Sequence, residues 1–248
     1  MKNLLKYLGY ASLTAVAVST LFMVNLFMMK PYSIDNFLAK ELVVGLIDSP
    51  EAMTYLGVFD NFNAVLKHNQ KLTIPSLEES EEDHADQIKA LTTLKKYNSE
   101  KLTDIQQITQ KIAIFDIEND INEFKNFRYH SYPFNQISGN HQSLVEFMTD
   151  MHPVRSEREA ADYIKRVELF DNVFAGNLLW LAKQKEQGIF APVFVFDHVI
   201  KQLTDMLATS VSDDPLYQVF ERKLSELDLS DEKKSNLLKE LTVAIDEN

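Results

Sequence analysis

The feature that most limits the fold is how little of this chain can turn. Its 248 residues include 6 Gly and 7 Pro, and apolar residues seldom alternate with polar ones over long runs. A many-stranded β protein needs turn residues at each hairpin and a two-residue apolar period along each strand, so that class is disfavoured. Leu, Lys, Glu, Gln, Ala and Met are plentiful, and these side chains lose little freedom on entering a helix. The expected fold is all-α, a multi-helix array.

Helical spacing and stop signals divide the chain. Ile34, Phe37, Leu38, Leu42, Val43 and Leu46 recur at three- and four-residue steps, as on an amphipathic helix. Ser49 and Pro50 suit the cap and first position of a second helix, which Gly57 would end. Residues 60–75 read as an irregular crossing. Ser76 and Glu79 form a capping-box pattern ahead of a polar helix with Ile88, Leu91 and Leu94 inward. The acidic run Glu78–Asp83 falls in its first turns, where negative charge complements the helix dipole. A helix over about Leu102–Phe127 is expected to turn Ile105, Ile108, Ile112 and Phe115 to one apolar face. After breaks at Pro133 and Gly139, a second capping box (Ser156, Glu159) opens a helix with Tyr163, Ile164, Val167, Phe170, Phe174, Leu178 and Leu181 inward, closed by Gly188. Pro192, Pro215 and Ser230 mark three more helix starts. The first of these has Val195, Val199, Leu203 and Met206 inward, and the last has Leu237, Leu238, Leu241 and Ile245. No linker interrupts residues 31–248, which read as one helical domain after an N-terminal segment, 1–30.

That segment has its own chemistry. Tyr7–Met29 is 23 residues without a charge, which as a helix spans about 35 Å, enough for a bilayer core. Lys2 and Lys6 precede it and Lys30 follows, so the N-terminus is expected to stay in the cytoplasm and the remainder to face outward. An uncleaved signal anchor accounts for the full length. The alternative is a signal peptide cut after Ala15-Val16-Ala17, which releases the rest but leaves an apolar mature terminus. The membrane, through residues 7–29, is thus the first expected partner.

Formal net charge is -12, and residues 31–248 alone carry -15 because residues 1–30 hold three lysines and no acid. Such a field repels polyanions, so nucleic acid is excluded as a partner. The absence of cysteine removes disulfides, thiol catalysis, thiolate-held metals and a lipid-modified N-terminal cysteine together.

No short catalytic motif is present. There is no glycine-rich phosphate loop, no Gly-x-Ser-x-Gly elbow, and no His-Glu dipeptide of the kind a zinc-peptidase helix uses to hold a metal and its water. None of the six histidines lies three or four residues from another. The sequence names no catalytic, metal or cofactor residue. Its densest segment, residues 129–168, offers Tyr132, Asn135 and Gln136 around a rigid Pro133, as a clamp on a peptide backbone requires, with His152 ahead of Pro153 in a turn. These four are the candidate substrate-cleft residues. Buried amides tying a loop to neighbouring helices would look the same. Arg166 is placed to pair with Asp162 one helical turn back.

The order Tyr132-Pro133, Asn135-Gln136, Gly139, Phe147-Met148, His152-Pro153, then Asp162-Tyr163-Ile164 and Arg166 resembles the bacterial domain-of-unknown-function-885 family. Ser49-Pro50-Glu51 with Thr54, Leu56 and Gly57, and Gly188 with Pro192, extend the likeness over roughly residues 34–248. Members of that family look like large helical metallopeptidases of the gluzincin type. The resemblance implies an exported protein whose N-terminal half walls a peptide channel, with zinc confined to a C-terminal half that these residues do not include and that another chain could supply. The competing expectation is a non-catalytic, membrane-tethered helical binding or assembly module.

Overall fold

The computed structural model describes residues 29–247, together with 19–27 and Thr14. Every regular element among them is helical: α1 (Ile34–Ile47), α2 (Pro50–Leu56), α3 (Asn63–Leu66), α4 (Leu77–Leu94), α5 (Asp104–Phe127), α6 (Asn140–Glu146), α7 (Glu157–Val167), α8 (Phe170–Glu186), α9 (Val193–Ala208), α10 (Pro215–Ser225) and α11 (Asp231–Glu247), with short 3-10 turns and one π turn between them. The all-α expectation holds. Most of the expected membrane segment, residues 7–29, lies outside the described residues. Among the described ones, no helix is long and apolar enough to cross a membrane. Residues 19–27 are helical, and the buried Asn25 side chain closes the turn after them, donating to Lys30 O and accepting from Tyr32 N.

The chain divides into two compact units, Met1–Gly45 with Glu82–Asn126, and Leu46–Glu81 with Phe127–Asn248. In the first unit, Ile34, Phe37, Leu94 and Tyr97 form the core, with Ala113, Ile114 and Ile117 of α5 packed on it. Gln110 is the one buried residue of α5, and its amide donates to Leu94 O and Tyr97 O, both at 3.0 Å. The apolar face that spacing predicts for α5 is therefore not the one that meets the core. Ile105, Ile108, Ile112 and Phe115 are 77, 58, 56 and 64% exposed, on the opposite face. The helix is apolar on two sides, and spacing alone cannot say which side meets the core.

The second unit is built around α7. Ala160, Tyr163, Ile164 and Val167 pack with Leu144, Met148, Phe170, Phe220 and Leu241 in one cluster. The apolar spacing expected for the helix after Ser156 holds as far as Phe174 and fails at Leu178, which is 61% exposed. Met206 of α9 likewise faces out, while Val195 and Val199 are buried with Ala191 in a small cluster of their own. Residues 60–75, expected to be irregular, fold into short turns over Asp60–Phe62, Asn63–Leu66 and His68–Gln70. Ser49 and Ser156 cap as expected, Asp214 caps the helix that Pro215 opens, and Gly57 and Gly188 take positive φ at helix ends.

Candidate functional site

The polar residues of the second unit converge on Arg166, which α7 carries into the core with no solvent exposure. Its Nε donates to Lys71 O at 2.8 Å. Nη2 reaches Thr54 Oγ1 (2.7 Å), His68 O (2.8 Å) and Pro50 O (3.3 Å), and Nη1 donates to Nδ1 of His152 at 2.9 Å. The ring of Phe147 lies 4.9 Å from the guanidinium carbon. Burial pulls the Arg166 pKa down to about 10, opposed by Glu51 and Asp162, so it stays a cation at neutral pH.

Local sequence explains how these groups meet. Ser49 and Pro50 start α2, which carries Thr54 one turn on, and Lys67 adopts a left-handed conformation so that the His68–Gln70 turn folds back with His68 O facing Arg166. The π turn Phe147–Met151 ends with His152 N bonded to Phe147 O, and His152 takes an extended conformation before Pro153. Its imidazole packs edge-on against Tyr163 with centroids 5.1 Å apart, and Nε2 donates to Glu159 O at 3.3 Å. Burial, and then the charge of Arg166, hold the His152 pKa well below the ordinary value. A neutral ring is also what the bonds require, since Nδ1 accepts from a cation.

Asp162 does not make the expected ion pair with Arg166. Its fully buried carboxylate accepts instead from Asn63 Nδ2 (2.9 Å) and Gln70 Nε2 (2.6 Å), fixing the turns of residues 60–70 on α7. The second capping box is shifted as well. Glu159 N is capped by Ser156 Oγ, but the Glu159 carboxylate accepts from Arg155 N and its guanidinium rather than from Ser156 N. Arg155 also binds Asp60 Oδ2, while Asp60 Oδ1 lies 3.7 Å from Nε2 of the buried His68.

The other expected cleft residues form a separate group on the loop before α6. Asn135 Oδ1 accepts from Ile137 N and Ser138 N, and the Tyr132 hydroxyl donates to Phe190 O. Gln136 O accepts from Gln202 Nε2, whereas the Gln136 side-chain amide has no hydrogen-bond partner among the described residues. His152 belongs to the Arg166 network and has no hydrogen bond to this loop. Residues that the sequence did not flag hold the loop in place. Gln184 donates to Tyr129 O and Ser131 O, both at 2.7 Å, and His141 Nε2 pairs with Gln202 Oε1 at 3.0 Å. The available signal was a buried amide on an otherwise apolar helix face.

A zinc site does not fit these residues. Among the described residues, no three His, Cys, Asp or Glu side chains are grouped to hold a metal ion. His152 and His141 are committed to Arg166 and Gln202, and His84 stacks on Phe124 with ring centroids 3.9 Å apart.

Residues 50–248 match a family model described as "Bacterial protein of unknown function (DUF885)". Among solved structures, the fold is similar to that of a candidate lipoprotein from Colwellia psychrerythraea, with a TM-score of 0.68 and 19% sequence identity. The match covers 82% of this chain and 37% of that one, so this chain spans little over a third of its length. No curated protein matches the chain.

Proposed function

The chain belongs to the bacterial DUF885 family, and on that premise we propose that residues 31–248 form the wall of a peptide-binding channel in an exported helical protein, without supplying catalytic groups themselves. One observation carries this reading. The unengaged Gln136 amide stands beside Ile137, which is 79% exposed, on the loop that Tyr132 ties to Phe190 O, and Phe190, Val193 and Phe194 are 59, 75 and 55% exposed. An extended peptide needs both kinds of contact: amide groups for its backbone and apolar surface for its side chains. The Arg166 network, by contrast, reads as a scaffold, because its bonds are spent on the chain's own carbonyls and on His152. The gluzincin-like zinc chemistry implied by the family resemblance would then come from residues beyond these. The same apolar surface suits the remaining part of the family fold, supplied by another chain.

Trp180, the single tryptophan, lies 5.4 Å from the ring of Tyr129 and reports on the loop by fluorescence. Titration with extended apolar peptides is expected to shift its emission saturably, more weakly in Gln136→Ala. No response at millimolar peptide would overturn the reading. The purified chain is expected to hold no stoichiometric zinc by elemental analysis; one tightly held ion per chain would count against it.

We place the protein outside the cytoplasm, tethered by residues 7–29. The chain has no cysteine to carry lipid, so the uncharged segment is the available anchor. Retention in membranes after alkaline extraction, with residues 31–248 open to external protease, is the expected result.

A further inference from the structure

We infer that α5 is a self-association surface, on which a second copy of this chain packs as a short parallel coiled coil. The helix buries Gln110, Ala113, Ile114 and Ile117 toward its own unit, and its opposite side carries Ile105, Ile108, Ile112 and Phe115, all more than half exposed. Their spacing of three, four and three residues is the a/d pattern of a two-helix seam, and Asn119 falls on the next a position. The seam runs about 20 Å along the helix from Ile105 to Asn119. An apolar stripe of this kind in water calls for a partner.

Charge selects the partner. With Ile105 and Ile112 at a, Lys111 takes a g position and Asp116 the following e position. Parallel, in-register pairing sets Lys111 of each copy beside Asp116 of the other, while neither forms an ion pair among the described residues. Antiparallel pairing about the same centre sets Lys111 against Lys111. The helix also carries Asp104, Asp116, Glu118, Asp120 and Glu123 against two lysines, which disfavours an anionic bilayer as the occupant. An Asn at an a position fixes register in parallel two-stranded coils, and Asn119 stands where it would meet its own copy.

The natural absence of cysteine makes the test direct. In the full chain in mild detergent, Ile105→Cys and Asn119→Cys are each expected to form disulfide-linked dimers under mild oxidation. The exposed Asp120→Cys, off the seam, is expected not to. Ile112→Asp should lower the mass in light scattering from two chains to one with helicity unchanged, since the side chain is on the surface. Lys111→Asp should lower the dimer fraction, and Lys111→Asp with Asp116→Lys should restore it. A monomeric parent chain, equal cross-linking at positions 105 and 120, or loss of vesicle binding rather than of dimer in Ile112→Asp would each overturn the assignment.

Discussion

Arg166 donates to Nδ1 of His152 across 2.9 Å with both side chains shut off from solvent, so a buried cation is bonded to a neutral imidazole rather than to a carboxylate. The charge is offset by carbonyl dipoles from two stretches of chain, Pro50 and the turn that carries His68 and Lys71, and by Asp162 and Glu51 nearby. The arrangement ties α2, the turn at His68–Gln70 and the end of the π turn to one residue of α7.

Removing that residue should be severe. Arg166→Leu leaves His152 Nδ1 and Lys71 O without a donor and takes one from Thr54, His68 O and Pro50 O, which keep other partners. The expected loss is on the order of 3–5 kcal/mol, the range for breaking a buried charged network by deleting one partner. Arg166→Lys keeps the charge but has three donors for a fork-shaped set of acceptors, at about 1–3 kcal/mol for each buried group left unpaired. Urea unfolding of the two variants checks both the size and the order.

His152 makes stability depend on pH in a set direction. Its folded pKa is depressed, so below the ordinary value near 6.5 the unfolded chain binds the proton more readily. Stability contributed by the neutral ring is complete above that pH and is lost as pH falls below it, by at most about 1.4 kcal/mol per pH unit for one group. His68 is depressed in the same direction, by burial first and then by Arg166. His152→Gln, whose amide oxygen can accept from Arg166 without titrating, should flatten the slope between pH 6.5 and 5 without abolishing it. An unchanged slope would remove His152 from the account.

The sequence made the helices, their caps and their order legible, because Ser49, Ser156, Asp214, Gly57 and Gly188 act within one turn of chain. It did not reveal the faces of α5, where two apolar sides compete and a single amide decides. The candidate site was legible as a set of residues more than as a geometry. Asp162 and Arg166 are correctly spaced for a pair, yet Asp162 is taken by groups 92 and 99 residues away in sequence, and Arg166 by carbonyls 95 or more residues away and by His152. The two halves of the Tyr129–Glu168 segment likewise serve different assemblies, the loop facing α9 and His152 facing Arg166. Such long-range contacts leave no local spacing to read.

Gly139 is required by closeness rather than by backbone conformation, since its φ is -65°. A Cβ there would meet Asn135 N, Asn135 O and His141 Cε1, each at 2.7 Å. Two of the three are backbone and cannot swing aside. Gly139→Ala should cost about 1–3 kcal/mol through displacement of the loop, and it should shift Trp180 emission because the same loop begins at Tyr129. Thermal unfolding and fluorescence of the variant test the two halves of this expectation separately.

The choice of face on α5 can be tested at Gln110. Its amide donates to Leu94 O and Tyr97 O where α4 ends, and its own oxygen accepts from Ser99 Oγ at 2.7 Å, so one side chain serves three polar groups at that corner. Gln110→Leu fills the space with an apolar group but leaves Tyr97 O with no donor and Leu94 O with Tyr97 N alone, at about 1–3 kcal/mol for the unpaired group if water cannot reach it. At dilutions where the chain is monomeric, Ile108→Gln, two residues away but on the exposed face, should leave unfolding of the first unit within about 0.5 kcal/mol of the parent, as surface substitutions do. Chemical denaturation followed by amide exchange at α4 and α5 separates the two. If Ile108→Gln proves the costlier change, the side of α5 that meets the core has been assigned the wrong way round.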